Sequence, residues 1–90
     1  MTLAKAVATF DDWSHPWKFE ASVREALVGF PAELEIFEDV MIEVSKSEHW
    51  AGDDLVHGGR IAHSAGRTRF PEVDVAVIDS AVRAASYCWR

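Results

Sequence analysis

Between Phe30 and Val44 the chain alternates apolar and acidic positions with the period of a helix. Phe30, Leu34, Phe37, Met41 and Val44 step by four, three, four and three, the spacing of one helical face. Glu35, Asp39 and Glu43 step by four on the opposite side, so the segment reads as apolar behind and negative in front. Like charges at this spacing cost a helix a few tenths of a kcal/mol per pair. Pro31 suits a first helical turn and Glu33 sits where the helix dipole favours an acid, which predicts a helix running to about Ser47. The alternative is a pair of strands. Glu33 to Ile36 alternates strictly, Val40, Ile42 and Val44 are β-branched, and a turn at Glu38-Asp39 would join the two.

Leu3, Val7 and Phe10 have helical spacing in an Ala-rich segment, with a first strand as the alternative. Ser14 is a cap candidate ahead of Pro16, predicting a helix over residues 16–28 that buries Phe19, Val23, Ala26 and Phe30 and stops at Gly29. Residues 50–70 carry most of the glycines. Leu55-Val56-His57, Gly58-Gly59 and Arg60-Ile61-Ala62-His63 read as a short β-hairpin with a two-residue turn. Phe70-Pro71-Glu72 opens a last helix, with Val75, Ile78, Val82, Ala85 and Trp89 as its buried face and Cys88 close by. Asp79 and Arg83 are placed to pair on its wet side. The fold class expected is mainly α: a single domain, residues 1–90, of three to four helices with a β-hairpin in the 50–70 region. The alternative is α+β with strands in 33–45.

Ninety residues suit one domain, and an apolar share of 49% is enough for a packed core. A single cysteine, Cys88, leaves no internal disulfide to form. The apolar run of the first residues meets Asp11 too early for a signal peptide, and no run approaches the ~20 apolar residues of a membrane span. The compartment expected is the cytoplasm. The net charge of −6 is uneven: residues 1–50 hold ten acids against four bases, and residues 51–90 hold five against five. An acidic front half repels phosphates, so neither direct nucleic-acid binding nor membrane binding is expected.

Candidate chemistry is sparse. His49, Asp53, Asp54, His57 and His63, with His15 further back, are donor types that suit zinc, but their spacing matches no compact metal signature. A polar loop with ordinary hydrogen bonds is expected there, and no metal or cofactor. Arg60, Arg67 and Arg69, near Gly58-Gly59 and Gly66, could cradle a phosphate. Otherwise they are solvated arginines that pair with the acidic helix within the chain. Ser64 beside His63 is adjacency rather than a triad, and Cys88 on an apolar face is expected to be inert packing. No catalytic residue is assigned and no enzyme is expected. Of the tryptophans, Trp13 and Trp50 are expected at the surface ahead of Trp17 and Trp89, as partner contacts.

Short length, acidity, an acidic helix face and several tryptophans together resemble the anti-CRISPR-type inhibitors of bacteriophages and mobile elements. The resemblance is one of type and shares no motif; antitoxins and small adaptor proteins have similar profiles. It implies a non-enzymatic inhibitor that docks on a host complex with a basic surface meant for nucleic acid. Glu35, Glu38, Asp39 and Glu43, with Trp13 and Trp50, are the residues expected to make that contact. The alternatives are an Arg/Gly-loop phosphate or nucleic-acid binder on Arg60, Arg67 and Arg69, and an antitoxin or adaptor. A helix this rich in Phe and Met also suits a homodimer seam.

Overall fold

Thr2 begins the folded chain as an N-cap, its hydroxyl accepting a 3.2 Å hydrogen bond from the Lys5 N–H. The structure, a computed structural model, describes residues 1–52 and 54–89. It has α1 (Leu3–Thr9), α2 (Phe19–Ala26), α3 (Pro31–Val44), α4 (Leu55–Arg69) and α5 (Val75–Cys88), with 3-10 turns at Pro16–Lys18 and Ser47–His49. The radius of gyration is 12.3 Å, close to the ~12 Å of a compact chain of this length. The principal extents of 39 × 29 × 17 Å make a slab thinner than two full helix diameters, so helices keep outer faces.

The central segment is helical, and the strand alternative for 33–45 fails. Its β-branched residues fall on both sides of the helix: Val40 and Val44 are fully buried, while Ile42 faces outward. The buried sector is broader than the spacing suggested, because α3 packs against α1, α4 and α5 together. Phe30, expected in that face, stands at the N-cap and is partly exposed. Residues 16–28 divide into the 3-10 turn and α2, and His15 rather than Ser14 occupies the cap position. The helix reading of Leu3 to Phe10 holds, and Leu3 N–H donates 2.9 Å to the Glu33 carboxylate, fastening α1 to α3.

Among the described residues there is no strand, and the hairpin expected in 50–70 is α4. Asp54 starts it, its carboxylate accepting from Val56 N–H at 2.9 Å and His57 N–H at 3.4 Å. The glycines serve approach rather than a turn. Gly58, Ala62 and Gly66 recur every four residues and form the buried stripe of α4. A Cβ at Gly58 would lie 2.8 Å from the Trp50 ring, and one at Gly66 would lie 3.1 Å from Ile78. Trp50 fills the space between α3 and α4, its indole N–H donating 2.8 Å to the Val44 carbonyl that ends α3.

The last helix begins later than expected, at Val75, capped by Asp74. It lies centrally, packed against α1, α3, α4 and the Pro16–Lys18 turn. Its buried residues are Val77, Ile78, Ala81, Ala84 and Ala85, so Val75 and Trp89 are turned outward instead. Three neighbouring helices demand small side chains at their crossings, which a single-face pattern does not capture. The Asp79–Arg83 pair does not form. Asp79 takes His63, and the Arg83 guanidinium lies 4.1 Å from the Trp13 ring centroid.

Gly58→Ala is expected to lose about 1–3 kcal/mol of stability by overpacking against Trp50. Gly59→Ala, where a Cβ meets Val82 only at 3.7 Å, is expected to gain about 0.5–1 kcal/mol from helix propensity. Urea unfolding of both variants checks the contrast; equal shifts would remove close approach as the reason for Gly58.

Candidate functional site

On α3, exposed Glu35 and half-buried Asp39 stand one turn apart, with half-buried Glu38 and exposed Ile42 beside them. Ile42 is 62% exposed, an apolar side chain set among acids. Glu38 lies 3.6 Å from Arg24 on α2, whose guanidinium also reaches Glu20 at 3.4 Å. Pairs this exposed are worth little. Among the described residues neither Glu35 nor Asp39 has an ion-pair partner.

Glu43 does not belong to that face. It is 6% exposed and is held by three side chains of its own chain. One carboxylate oxygen accepts from His49 Nε2 at 3.0 Å; the other accepts from Arg69 Nη1 at 3.0 Å and Lys46 Nζ at 3.3 Å. The Ser47–His49 turn folds back over the end of α3 and brings His49 in, while the last turn of α4 supplies Arg69. The His49 hydrogen bond leads in pulling the Glu43 carboxyl from its ordinary 4.5 down to about 2. Burial opposes that shift, and Arg69 and Lys46 reinforce it. The expectation that Glu43 lies on the open acidic side of the helix is therefore corrected: it is buried and joins α3 to α4.

The tryptophans also exchange places. Trp50 is buried, and Trp13 is half-buried between Phe10, at 5.0 Å edge-on, and Phe19, stacked at 5.4 Å. Trp17, expected inside, is 70% exposed. Trp89 is partly exposed as well. Cys88 is exposed, not core packing. Of the arginines, Arg69 pairs with the acidic helix as one reading had it, and also lies 5.2 Å over Phe70. Arg60 and Arg67 are exposed on α4, two turns apart, and no phosphate-cradling glycine turn accompanies them because that segment is helical.

The histidine set does not converge. His49 bonds Glu43, His63 bonds Asp79, His15 bonds Asp12 at 2.9 Å, and Asp54 is a helix cap. His57 is exposed on α4, and Asp53 lies outside the described residues. Among the described residues no three or more metal-ligating side chains come together. No helix described is long and apolar enough to cross a membrane.

Two surface features escaped the sequence pattern: exposed Ile42, and an open cleft of about 400 Å³ beside Trp17 and Cys88. Ile42 has a signal, since it falls three residues after Asp39 on the polar side of the wheel. The cleft has none, because it forms between segments far apart in sequence. Compared with known proteins, the chain matches no family model, no curated protein and no solved structure.

Because the folded carboxyl of Glu43 titrates below its ordinary value, its contribution to stability is present in full above pH 4.5 and is lost as pH falls through about 2. Glu43→Gln is expected to cost about 1.5–3 kcal/mol at neutral pH, the range for hydrogen bonds to charged groups. The gap between variant and parent should close as pH falls across that window. Denaturant midpoints measured at several pH values test this, and parallel curves for the two proteins would contradict it.

Proposed function

We propose that this chain is a non-enzymatic protein-binding inhibitor that sets the acidic outer face of α3 on a basic surface of a nucleic-acid-handling complex. The supporting observation is the Glu35–Asp39 pair, two acids at repelling spacing with no cation opposite them among the described residues. Glu38 widens the face, and Ile42 adds an apolar contact within it. Charge of this kind speeds encounter and selects a basic partner, while the buried apolar contact supplies most of the holding energy. The reading keeps the anti-CRISPR-type mode of action, a bound protein standing where nucleic acid would lie. It places no role on Glu43 or Trp50, which are engaged inside the fold.

The competing reading, phosphate binding, now rests on Arg60 and Arg67 alone. A tagged chain passed over nuclease-treated bacterial lysate is expected to retain a nucleic-acid-handling complex, identified by mass spectrometry. Glu35→Lys with Asp39→Lys should abolish that capture and leave the melting temperature within a few degrees, because Glu35 is exposed and the half-buried Asp39 has no ion-pair partner among the described residues. Capture unchanged by the double reversal would refute the acidic-face reading. Tight binding of a generic oligonucleotide that weakens steeply with salt would favour the arginines.

A further inference from the structure

The open cleft lies where the Pro16–Lys18 turn, the end of α3 and the end of α5 meet. Pro16, Trp17, Met41, Ala84, Tyr87 and Cys88 line it, and so does Glu20. Its volume of about 400 Å³ is within the range of ligand pockets. Trp17 leaves 70% of its surface to solvent on this wall. An amphipathic ring held so openly in a concave surface suits an interface anchor.

The surroundings of the cleft specify the occupant by charge. Glu20 reaches Arg24, and Arg24 reaches Glu38, so two acids and one base bridge the cleft to the outer face of α3. Met41 and Ser45, which form the α3 side of the cleft, are one turn and two turns on from Glu38 along the same helix. Glu35 lies one turn before Glu38, and Asp39 directly follows it. An apolar hollow is thus continuous with a strip of net negative charge.

We infer that this cleft takes one bulky apolar side chain of a partner segment whose flanking residues are Lys or Arg and lie along Glu20, Glu38, Asp39 and Glu35. The inference rests on the acidic-face reading and adds to it the anchor. The apolar side chain supplies affinity by leaving water, and the flanking cations supply register on the acids.

Three synthetic peptides of equal length test it: one with a central Phe among Lys and Arg, one with Phe→Ala, and one with Phe kept and the bases replaced by Glu. Binding is read by fluorescence anisotropy of labelled peptide, and occupancy by the alkylation rate of Cys88, the chain's single thiol. The Phe/Lys/Arg peptide is expected to bind about tenfold to a hundredfold more tightly than its Ala form and to slow Cys88 alkylation. Trp17→Ala, an exposed change, should weaken the Phe peptide and leave the Ala peptide unaffected. Equal binding of the Phe and Ala peptides, with Cys88 unprotected, would overturn the cleft and leave the acidic face standing. Undiminished binding of the Glu peptide would overturn the acidic face itself. Self-association removed by Trp17→Ala, seen by light scattering, would give the cleft to a second copy of the chain and also overturn the proposal.

Discussion

The fold depends on how closely α4 can approach the end of α3. Gly58 leaves room for the Trp50 ring, and Gly66 leaves room for Ile78 and Val44, so two glycines admit side chains from two different helices. Each glycine weakens α4 by about 1 kcal/mol relative to alanine when taken alone. That loss is offset by burial of Trp50 and by its indole hydrogen bond to Val44, which satisfies a carbonyl that the end of α3 would otherwise leave open. Without this approach α4 would have no buried face, since its other apolar residues, Leu55, Val56 and Ile61, are all partly exposed.

The same junction decides what happens to charge. Once α4 lies against α3, its last turn sets Arg69 over Glu43, and the Ser47–His49 turn leaves His49 within reach. A buried carboxylate without partners would be costly, and removing one member of such a group leaves the others uncompensated. Glu43 is thus consumed by the packing that Gly58 and Gly66 permit. Asp39 and Glu35 sit one and two turns earlier on α3, beyond the reach of these side chains.

How much was legible in the sequence follows from how local each cause is. The helix of α3 was legible because its apolar spacing and Pro31 lie within the segment itself. Glu43 was misplaced because Arg69, its partner across 26 positions, is set by tertiary contact. In α4, Gly58-Gly59 carries a strong turn signature, and only the four-residue recurrence of Gly58, Ala62 and Gly66 behind the Asp54 cap pointed to a helix. The buried side of α5 was rotated from its expected position because three neighbours shape it, whereas a periodicity argument supposes one. Trp50 and Trp17 have the same side chain, and nothing local says which of them meets a glycine stripe.

The acids divide by what they do for the fold. Asp54 and Asp74 cap helices, Glu33 holds Leu3, Glu43 joins Lys46, His49 and Arg69, and Asp12 and Asp79 hold histidines. Each has a hydrogen-bonding partner that accounts for its presence. Glu35 and Asp39 have none among the described residues, as is also true of Asp11, Glu25, Glu48 and Glu72, but these two stand four apart on one helix, a spacing at which like charges repel. On α4, the comparable bases Arg60 and Arg67 are two turns apart, so the positive edge is the more dilute. A chain with a dense acidic edge on α3 and a sparse basic one on α4 has a directional field, and such a field orients an approaching partner before contact. On the proposed reading, a basic surface meeting this protein would be turned toward α3, and the apolar cleft would lie at the end of the strip it met.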